Sequence, residues 1–440
     1  MAIARRRLHH AVRDRDARPV PMPPIPRRPA PRVALSTQLS PAAVERRWQL
    51  LSVSRESREV LLDDQTLDAL EQYRGSIENC IGALRMPVGL AGPLRIEGAH
   101  AHGDYYLPLA TTEAALVASY SRGAQVISEA GGCTALVLAE GIGRSPGFAF
   151  ASLREAARFA EWALAQRLVF NGCVAATTSH GRLKELRAVI EGNHVYLHLE
   201  FVTGDAAGQN MVTLATEAIC AYILAESPVQ PDYWFLEANY SGDKKASARS
   251  FVGVRGRRVS AETTIPADLV RRRLRTTPAR MADYFRMGAL GGVLSGTLGA
   301  QGHYANGLAA LYLATGQDVA CVAESAVGVT RMEVTAAGDL YAAATLPSII
   351  VGTVGGGTGL PGQRACLELM GLAGAGHAAA LAEVCAGLCL AGELSLIGAL
   401  CAGQFASAHR KLARDVRHQS DNQEGGGNAK RRAHSGESSE

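Results

Sequence analysis

Aromatic residues are scarce in this sequence and glycines are abundant. Phenylalanine, tyrosine and tryptophan make up 5% of the 440 residues, while 47 residues are glycine. This balance favours closely packed helices and glycine-rich ligand loops over a β-sandwich. Since 47% of the residues are hydrophobic, the chain can bury a large core in two or three domains.

Cysteine occurs without the spacing of a metal site or of a disulfide framework. The nine cysteines are scattered and include no Cys-x-x-Cys pair. Cys385 and Cys389 lie four residues apart on a predicted helix, with no histidine near them. An odd and irregular set of this kind is typical of reduced, buried thiols in a cytosolic protein, so we expect no metal centre.

We expect neither a secretory signal nor a nucleic-acid partner. The N-terminus is rich in arginine and proline and lacks an apolar segment. Residues 1–32 hold nine Arg and two Asp, a charge of +7 that leaves −3 for the rest of a chain whose net charge is +4. A body so close to neutral does not favour nucleic-acid binding.

One uncharged stretch has the length of a membrane span. Residues 287–317 contain no Asp, Glu, Lys or Arg, and about 20 apolar residues suffice to cross a bilayer. However, the stretch also contains Gln301, His303 and Asn306, together with many glycines. We therefore predict a buried, closely packed core segment and no membrane partner.

Turn residues and hydrophobic periodicity predict both helices and strands, which makes the fold class α+β. A helix is predicted over 41–73, with Ser40 as its cap and Pro41 at its first position. The other predicted elements are helices over 153–165, 212–226 and 378–414, paired strands over 187–190 and 195–201, a hairpin of 250–254 and 258–261, and a strand over 348–351.

The stretch 237–247 reads Glu-Ala-Asn-Tyr-Ser-Gly-Asp-Lys-Lys-Ala-Ser and follows a predicted strand over 233–236. Its turn-forming residues place Asp243, Lys244 and Lys245 on a tight loop. Such a loop can present a fixed positive charge to an oxygen that gains negative charge in a reaction. The alternative is a solvated, charged turn.

Two glycine-rich segments are candidate ligand loops. Residues 357–362 fit Gly-x-Gly-x-x-Gly, but the region that follows is predicted to be helical, whereas a dinucleotide fold requires a strand there. A loop whose backbone approaches a ligand, or a simple packing role, remains open. Residues 204–211 join a strand to a helix, so their amides, with Asp205 and Asn210, could hold a pyrophosphate or ribose or could simply cap the helix.

Glu113 and His409 are candidate acid groups. Glu113 is predicted in the first turn of a helix that Thr111 or Thr112 caps and that ends near Gly131. It could donate a proton if burial or a second carboxylate raised its pKa, or it could act in a capping box. His409 follows an apolar helix and precedes basic residues, as either a surface residue or an acid on a mobile flap.

Taken together, these stretches resemble the hydroxymethylglutaryl-CoA reductase family over about residues 75–415. The likeness is to the biosynthetic class shared with eukaryotes. The matching stretches are Glu78-Asn79 with 87–94, Ala110-Thr-Thr-Glu113, 204–211, Asp243-Lys244-Lys245, Gly316-Gln317-Asp318, 352–358 and His409.

The resemblance implies reduction of hydroxymethylglutaryl-CoA to mevalonate and CoA with two NADPH. It makes Lys244 the group that stabilises the oxyanion, Glu113 the proton donor, Asp318 the carboxylate that tunes both, and His409 the acid for the CoA thiolate. It also implies a homodimer or homotetramer with its active site between subunits. Implied cofactor contacts are Ser179, Asp205, Gly208, Asn210, Met211, Gly355, Gly356 and Arg414; implied substrate contacts are Arg144, Asp243, Lys245, Arg286 and Asn306.

The sequence departs from the family pattern in several places. Arg286 stands where a substrate-binding Lys is usual, and Ser179-His-Gly-Arg182 replaces the Ser-Arg pair that recognises NADPH, so NADH stays open. Glu237 stands where Ser is common, without explanation. Asp415 stands where eukaryotic members carry a regulatory Ser, and the eukaryotic membrane region is missing, so we expect a cytoplasmic form without that switch.

The resemblance also implies a domain arrangement. We expect a large mixed α/β domain with a central helix, an inserted small ferredoxin-like domain and a small helical N-terminal domain. The predicted divisions are a disordered tail over 1–35, the helical domain over 36–79, the substrate domain over 80–143 and 246–415, the cofactor domain over 144–236, the catalytic loop over 237–245 and a disordered tail over 416–440.

Overall fold

The computed structural model describes residues 31–404. The chain divides into two compact units, one up to Ala83 and one from Leu84 onward. Most of both predicted tails, together with His409, Arg414 and Asp415, lies outside the described residues. The predicted domain divisions stay predictions.

The first unit is a group of short helices. Ser40 caps α1 (Pro41–Trp48) by accepting a hydrogen bond from the Ala43 amide at 3.3 Å, as predicted. The single helix predicted over 41–73 is wrong, because new caps begin new helices along this stretch. The further elements are α2 (Arg55–Leu61), capped by Ser54, α3 (Asp64–Asp68), capped by Asp63, and a 3-10 turn over Leu70–Tyr73.

The second unit is a mixed α/β structure, which confirms the predicted fold class. Its strands are β1 (Val88–Gly98), β2 (His102–Ala110), β3 (Cys133–Arg144), β4 (Gly147–Ala149), β5 (Arg182–Glu191), β6 (His194–Val202), β7 (Tyr233–Phe235), β8 (Gly256–Ile265), β9 (Gly299–Ala300), β10 (Gly328–Val334) and β11 (Leu340–Ile349). Its helices are α4 (Leu116–Glu129), α5 (Leu153–Ala165), α6 (Arg167–Thr177), α7 (Gln209–Glu226), α8 (Arg249–Val252), α9 (Ala267–Leu269), α10 (Pro278–Ser295), α11 (Tyr304–Thr315), α12 (Val322–Ser325), α13 (Pro361–Leu369) and α14 (Ala378–Cys401).

The strands follow the order β7-β4-β6-β3-β8-β11-β10-β9, with β1 beside β2 and β3, and β5 beside β6. The long strand β3 belongs to both halves of this arrangement. Residues 134–141 of β3 pair with β8, whereas residues 142–144 pair with β6. The strand therefore runs directly from one hydrophobic core into the other.

Helix α14 lies at the centre of the larger core. It is the one helix of the described residues long and apolar enough to cross a membrane, with a mean hydropathy of 2.0, but 78% of that window is buried in the fold. Its two glutamates are buried, and backbone amides satisfy their carboxylates. Glu383 accepts from the amides of His100 and Ala101, and Glu393 accepts from those of Gly302 and His303. A core helix explains this pattern without a bilayer.

The smaller core lies where α5, α6 and α7 cover β4, β5 and β6. The predicted paired strands are confirmed: β5 and β6 pair antiparallel up to Glu191 opposite His194. The helix predicted over 153–165 is confirmed as α5, and the helix predicted from Val212 is α7, which begins at Gln209. The ferredoxin-like description of this part stays a prediction.

Three predicted elements differ in the structure. The hairpin about Arg255-Gly-Arg257 is wrong: Arg249–Val252 is the short helix α8, and β8 is a central strand between β3 and β11. Gly256 makes the entry into β8 at a φ of +79°, against the Ile349 carbonyl. The strand predicted over 348–351 is the end of the longer β11, and the helix predicted to residue 414 ends at Cys401, before Gly403 at a φ of +68°.

The prediction that 287–317 is buried holds for α11 and fails for α10. Leu308, Leu311 and Tyr312 of α11 are fully buried. By contrast, Leu290 and Leu294 of α10 are 67% and 88% exposed, and Met287 and Val293 are exposed as well. The lack of charged residues therefore did not show which of the two helices is buried.

Candidate functional site

The Lys244 loop, residues 236–248, follows β7 as predicted. Asn239, Gly242 and Lys244 all take left-handed backbone conformations, with φ of 62°, 78° and 54°. The Lys245 amide donates to the Gly242 carbonyl at 3.1 Å and closes the turn. Two of these three residues are types that accept positive φ readily, whereas Lys244 is not.

Lys244 and Asp318 form an ion pair at this loop. The Lys244 Nζ lies 2.7 Å from Asp318 Oδ2, and both side chains are 43% exposed. Asp318 follows α11, and its Oδ1 accepts from the Ala320 amide at 3.0 Å, which fixes the carboxylate. The hydrogen bond and the charge of Asp318 raise the pKa of Lys244. The ammonium is therefore charged, oriented and still open to a substrate.

Buried charges lie beneath the loop. Asp243 accepts from Arg144 Nη1 at 2.8 Å and from Arg255 Nη2 at 2.7 Å. Burial raises the pKa of Asp243, and the two guanidinium groups outweigh it, so the net direction is downward. Asp243 is therefore held as a carboxylate that anchors the loop to the end of β3.

Glu237 also belongs to this cluster, which gives a structural role to the residue that the sequence left unexplained. Its Oε2 accepts from the Ser145 amide at 3.2 Å and lies 3.6 Å from Arg144 Nη1. Glu237 Oε1 and Arg144 Nε are buried and have no hydrogen-bond partner among residues 31–404. Arg144 thus faces two carboxylates, Glu237 and Asp243.

Three glycine-containing segments meet beside this loop. A Cβ on Gly352 would lie 2.6 Å from the Ala207 amide, and one on Gly316 would lie 2.2 Å from the Gly357 carbonyl. The buried side chain of Gln317 completes the contact, because its amide donates to the Gly352 carbonyl at 3.0 Å and accepts from the Gly352 amide at 2.9 Å. The two candidate ligand loops and Asp318 are therefore packed together.

Asp205 acts in this structure as a helix cap. Its Oδ2 accepts from the Gly376 amide at 2.8 Å, and its Oδ1 accepts from the Ala378 amide at 3.3 Å, at the start of α14. Capping was the alternative for this segment, although the helix capped is α14 and not the adjacent α7. Gly208 begins α7 at a φ of +78°, where a Cβ would collide with Thr203.

The remaining cofactor candidates lie on open backbone. Asn210 is exposed in the first turn of α7, and Met211 Sδ packs against Gly181, close to the exposed Ser179. Gly355 and Gly356 have positive φ, and no atom of the described part of the chain lies within 4 Å of a Cβ built on either. As predicted, no strand follows this loop, since α13 comes next. An ordinary dinucleotide fold is thus ruled out at this position.

Among the described residues, several predicted site residues are not hydrogen-bonded to Lys244 or Asp318. Glu113 is exposed and precedes α4, so its predicted place in the first helical turn is wrong; Ala115, at a φ of 72°, begins the helix without a side-chain cap. Within residues 31–404, no ion pair or hydrogen bond joins the Glu113 carboxylate to Lys244 or Asp318. Arg286 is exposed and pairs with Asp283, Asn306 is half-buried on α11, and Lys245 donates from Nζ to the Asp243 carbonyl at 3.0 Å.

Known proteins share this sequence over most of its length. The family model "Hydroxymethylglutaryl-coenzyme A reductase" matches residues 43–414. The chain belongs to the hydroxymethylglutaryl-CoA reductase family. It is 42% identical to the 3-hydroxy-3-methylglutaryl-coenzyme A reductase of Pyrococcus abyssi over 86% of this chain and 93% of that protein. It is 46% identical to that of Aeropyrum pernix over 79% of this chain and 84% of that protein.

Solved structures of reductases from the same family share the fold. A class II 3-hydroxy-3-methylglutaryl-CoA reductase from Streptococcus pneumoniae, bound to NADPH in open conformations, superposes with a TM-score of 0.61 at 20% identity. The match covers 79% of this chain and 97% of that one. Membership of this family makes the chain an oxidoreductase.

Two buried residues of this reductase were missed from the sequence. Arg255 was assigned to a hairpin turn, and Glu324 was not singled out at all. In the structure Arg255 Nε donates to Glu324 Oε2 at 2.6 Å, and the Lys244 amide donates to Glu324 Oε1 at 3.0 Å. No motif marks Glu324, because only the fold brings this short helix beneath the loop.

Proposed function

We propose that this protein reduces 3-hydroxy-3-methylglutaryl-CoA to mevalonate and CoA with two NADPH. The observation that carries the proposal is the Lys244–Asp318 pair, an exposed and oriented ammonium beside packed glycine loops. Two NADPH would supply the two hydrides. The substrate thioester accepts the first hydride at its carbonyl carbon, and the aldehyde formed after CoA leaves accepts the second.

Lys244 supports both reductions in the same way. As the carbonyl oxygen gains negative charge, the Lys244 ammonium stabilises it, and Asp318 keeps that ammonium protonated and aimed. Proton delivery is assigned to Glu113, as the family implies. His409 is proposed to protonate the CoA thiolate as the carbon–sulfur bond breaks, so that free thiol leaves.

The role of His409 has its own test. His409→Gln should slow release of CoA from the thioester substrate by about 10²-fold. Reduction of added mevaldehyde, which has no thiolate to protonate, should stay near its normal rate. Both rates can be followed by absorbance of the reduced nicotinamide. An equal loss in the two reactions would contradict this assignment.

We assign the substrate's polar groups to Arg144, Asp243, Lys245, Arg286 and Asn306. Arg144 and Asp243 are held rigidly by the buried charges beneath the loop, which favours precise orientation. Arg286 can hold a carboxylate bidentately, but its guanidinium first has to leave Asp283.

The cofactor is assigned to the glycine loops and to the first turn of α7. The open space around Gly355 and Gly356, and the positions of Asn210 and Met211 in the first turn of α7, favour a phosphate-bearing ligand. The solved relative from Streptococcus pneumoniae binds NADPH. The remaining proposed contacts are Ser179, Asp205, Gly208 and Arg414.

We propose a homodimer or homotetramer with the active site between subunits. Two observations support this. The apolar face of α10, formed by Met287, Leu290, Val293 and Leu294, is exposed in a single chain. Glu113 is exposed and has no ion pair with the Lys244 loop among the described residues of one chain. A second copy of the chain can cover the apolar face of α10, and its Lys244 loop can be the partner of Glu113. A cytoplasmic location is part of the same proposal, in keeping with the burial of α14.

Two alternatives can be separated from the proposal by one set of assays. Purified protein is mixed with hydroxymethylglutaryl-CoA and either NADPH or NADH, and mevalonate is measured. Preference for NADPH supports the proposal. A strong NADH preference, with faster oxidation of mevalonate than reduction of the thioester, would favour the degradative direction. No mevalonate with either cofactor would favour a silent CoA- or nucleotide-binding relative.

A further inference from the structure

Glu324 is a fully buried carboxylate beneath the backbone of Lys244. Its side chain is 1% exposed, and each of its oxygens accepts one hydrogen bond: Oε1 from the Lys244 amide at 3.0 Å and Oε2 from Arg255 Nε at 2.6 Å. A carboxylate is buried at large cost unless charged groups and amides satisfy it. Both partners of Glu324 belong to the substructure that presents Lys244.

The backbone of Lys244 needs such a partner. At a φ of +54° it lies in the left-handed region. Residues other than glycine, asparagine and aspartate seldom adopt this backbone conformation. A conformation of this kind persists only where the surroundings hold it. The Glu324 carboxylate does so by fixing the direction of the Lys244 amide.

The segment 318–325 holds Lys244 at both ends. Asp318 binds its ammonium and Glu324 binds its amide. These two acceptors are joined only by the 3-10 turn Val319–Cys321 and by α12. Because one short, hydrogen-bonded segment carries both, the position of Nζ relative to the loop backbone is set by the segment's own geometry.

Arg255 extends this support to the rest of the loop. Besides Glu324, its guanidinium donates to Asp243 Oδ1 at 2.7 Å and to the Gly143 carbonyl of β3. Glu324 therefore orients Arg255, and Arg255 ties Asp243 to the sheet. Loss of Glu324 would loosen two neighbouring loop residues, not one.

We propose that Glu324 is a positioning residue that sets the reactive geometry of Lys244 through its backbone amide and through Arg255. The proposal rests on the oxyanion-stabilising role proposed for Lys244. Glu324 itself does not touch the substrate, so its removal should act on turnover and leave substrate binding largely unchanged.

The test compares Glu324→Gln and Glu324→Met with Glu383→Gln. Glu383 is equally buried and also accepts backbone amides, but it lies against 100–101 and not against Lys244. Glutamine offers a single acceptor oxygen, so either the Lys244 amide or Arg255 Nε loses its partner. We expect kcat to fall about 10-fold in Glu324→Gln and about 10²-fold in Glu324→Met, with KM values within about 3-fold.

A second measurement does not depend on activity. Limiting acetic anhydride acylates exposed amines, and mass spectrometry gives the ratio of labelling at Lys244 to that at Lys245. We expect this ratio to change at least about 3-fold in Glu324→Gln, since Lys244 leaves Asp318, and to stay constant in Glu383→Gln. An unchanged ratio in Glu324→Gln, or a kcat equal to that of Glu383→Gln, would overturn the proposal.

Loss of the proposed role of Lys244 can be distinguished from loss of the proposed role of Glu324. If Lys244→Ala turned over normally, the oxyanion role of Lys244 would be lost, while the labelling ratio would still report whether Glu324 holds its side chain. Glu324→Gln preserves shape and volume, so it remains informative if Glu324→Met does not fold.

Discussion

The Lys244 loop and the α10 surface differ in how far one chain completes them. At the loop, Lys244, Asp243, Arg144, Arg255 and Glu324 are joined by hydrogen bonds and ion pairs within one chain. At α10, large apolar side chains face solvent. A single chain therefore satisfies the charges around Lys244 but leaves the apolar face of α10 exposed to solvent.

Removal of the Lys244 charge should affect activity more than any other change considered. Lys244→Ala should reduce turnover by at least about 10²-fold, because no other described group stands where Lys244 meets Asp318. The unfolding midpoint should change little, since the pair is 43% exposed. Turnover is measured with hydroxymethylglutaryl-CoA and NADPH, and near-normal activity would remove the loop from the chemistry.

The role of the α10 surface can be tested separately. Changing Leu290 and Leu294 together to Asp places two charges on the exposed apolar face, so we expect subunits to dissociate and activity at low protein concentration to fall about 10-fold. Light scattering after size exclusion gives the mass. The matched control is Leu168→Asp, because Leu168 is 85% exposed on α6. An unchanged mass in the double variant would show that this face is not an interface.

A smaller effect concerns acid stability beside the loop. Burial, and then the positive charges of Arg249 and Arg187, lower the pKa of His198 to about 3, against the opposing charge of Glu185. The unfolded state therefore binds one more proton than the folded state between the ordinary pKa near 6.5 and about 3. Folding stability from this group falls as pH falls through that window, by about 1.4 kcal/mol per pH unit.

His198→Gln removes the group that titrates. Urea unfolding at pH 6.5 and at pH 4.5 should show that the wild type loses about 2.3 kcal/mol more than the variant over this interval. The comparison between variants cancels the contribution of carboxylates elsewhere. Equal losses in the two proteins would show that protonation of His198 does not lower the free energy of unfolding.

The sequence predicted local features well and long-range ones poorly. The cap at Ser40, the β5–β6 pair and helix α5 depend on neighbouring residues, so turn chemistry and periodicity suffice to find them. Motifs also identified Lys244 and Asp318 as partners through a family resemblance, and the structure places them 2.7 Å apart.

The errors came from contacts distant in sequence. Arg255 was assigned to a hairpin turn because nothing near it in the sequence reveals Glu324, 69 residues further along. The cap that Asp205 makes was expected on the adjacent helix, but the helix it caps is α14, more than 170 residues away. Composition made α10 look buried, since an uncharged, apolar helix has the same composition whether its apolar face is buried or exposed.

The helix that Asp205 caps runs through the larger core. Helix α14 has 24 residues, so its two ends lie about 36 Å apart. Asp205 also belongs to the segment that packs against Gly352. The contacts that hold the two candidate ligand loops together therefore also fix one end of this helix in the larger core.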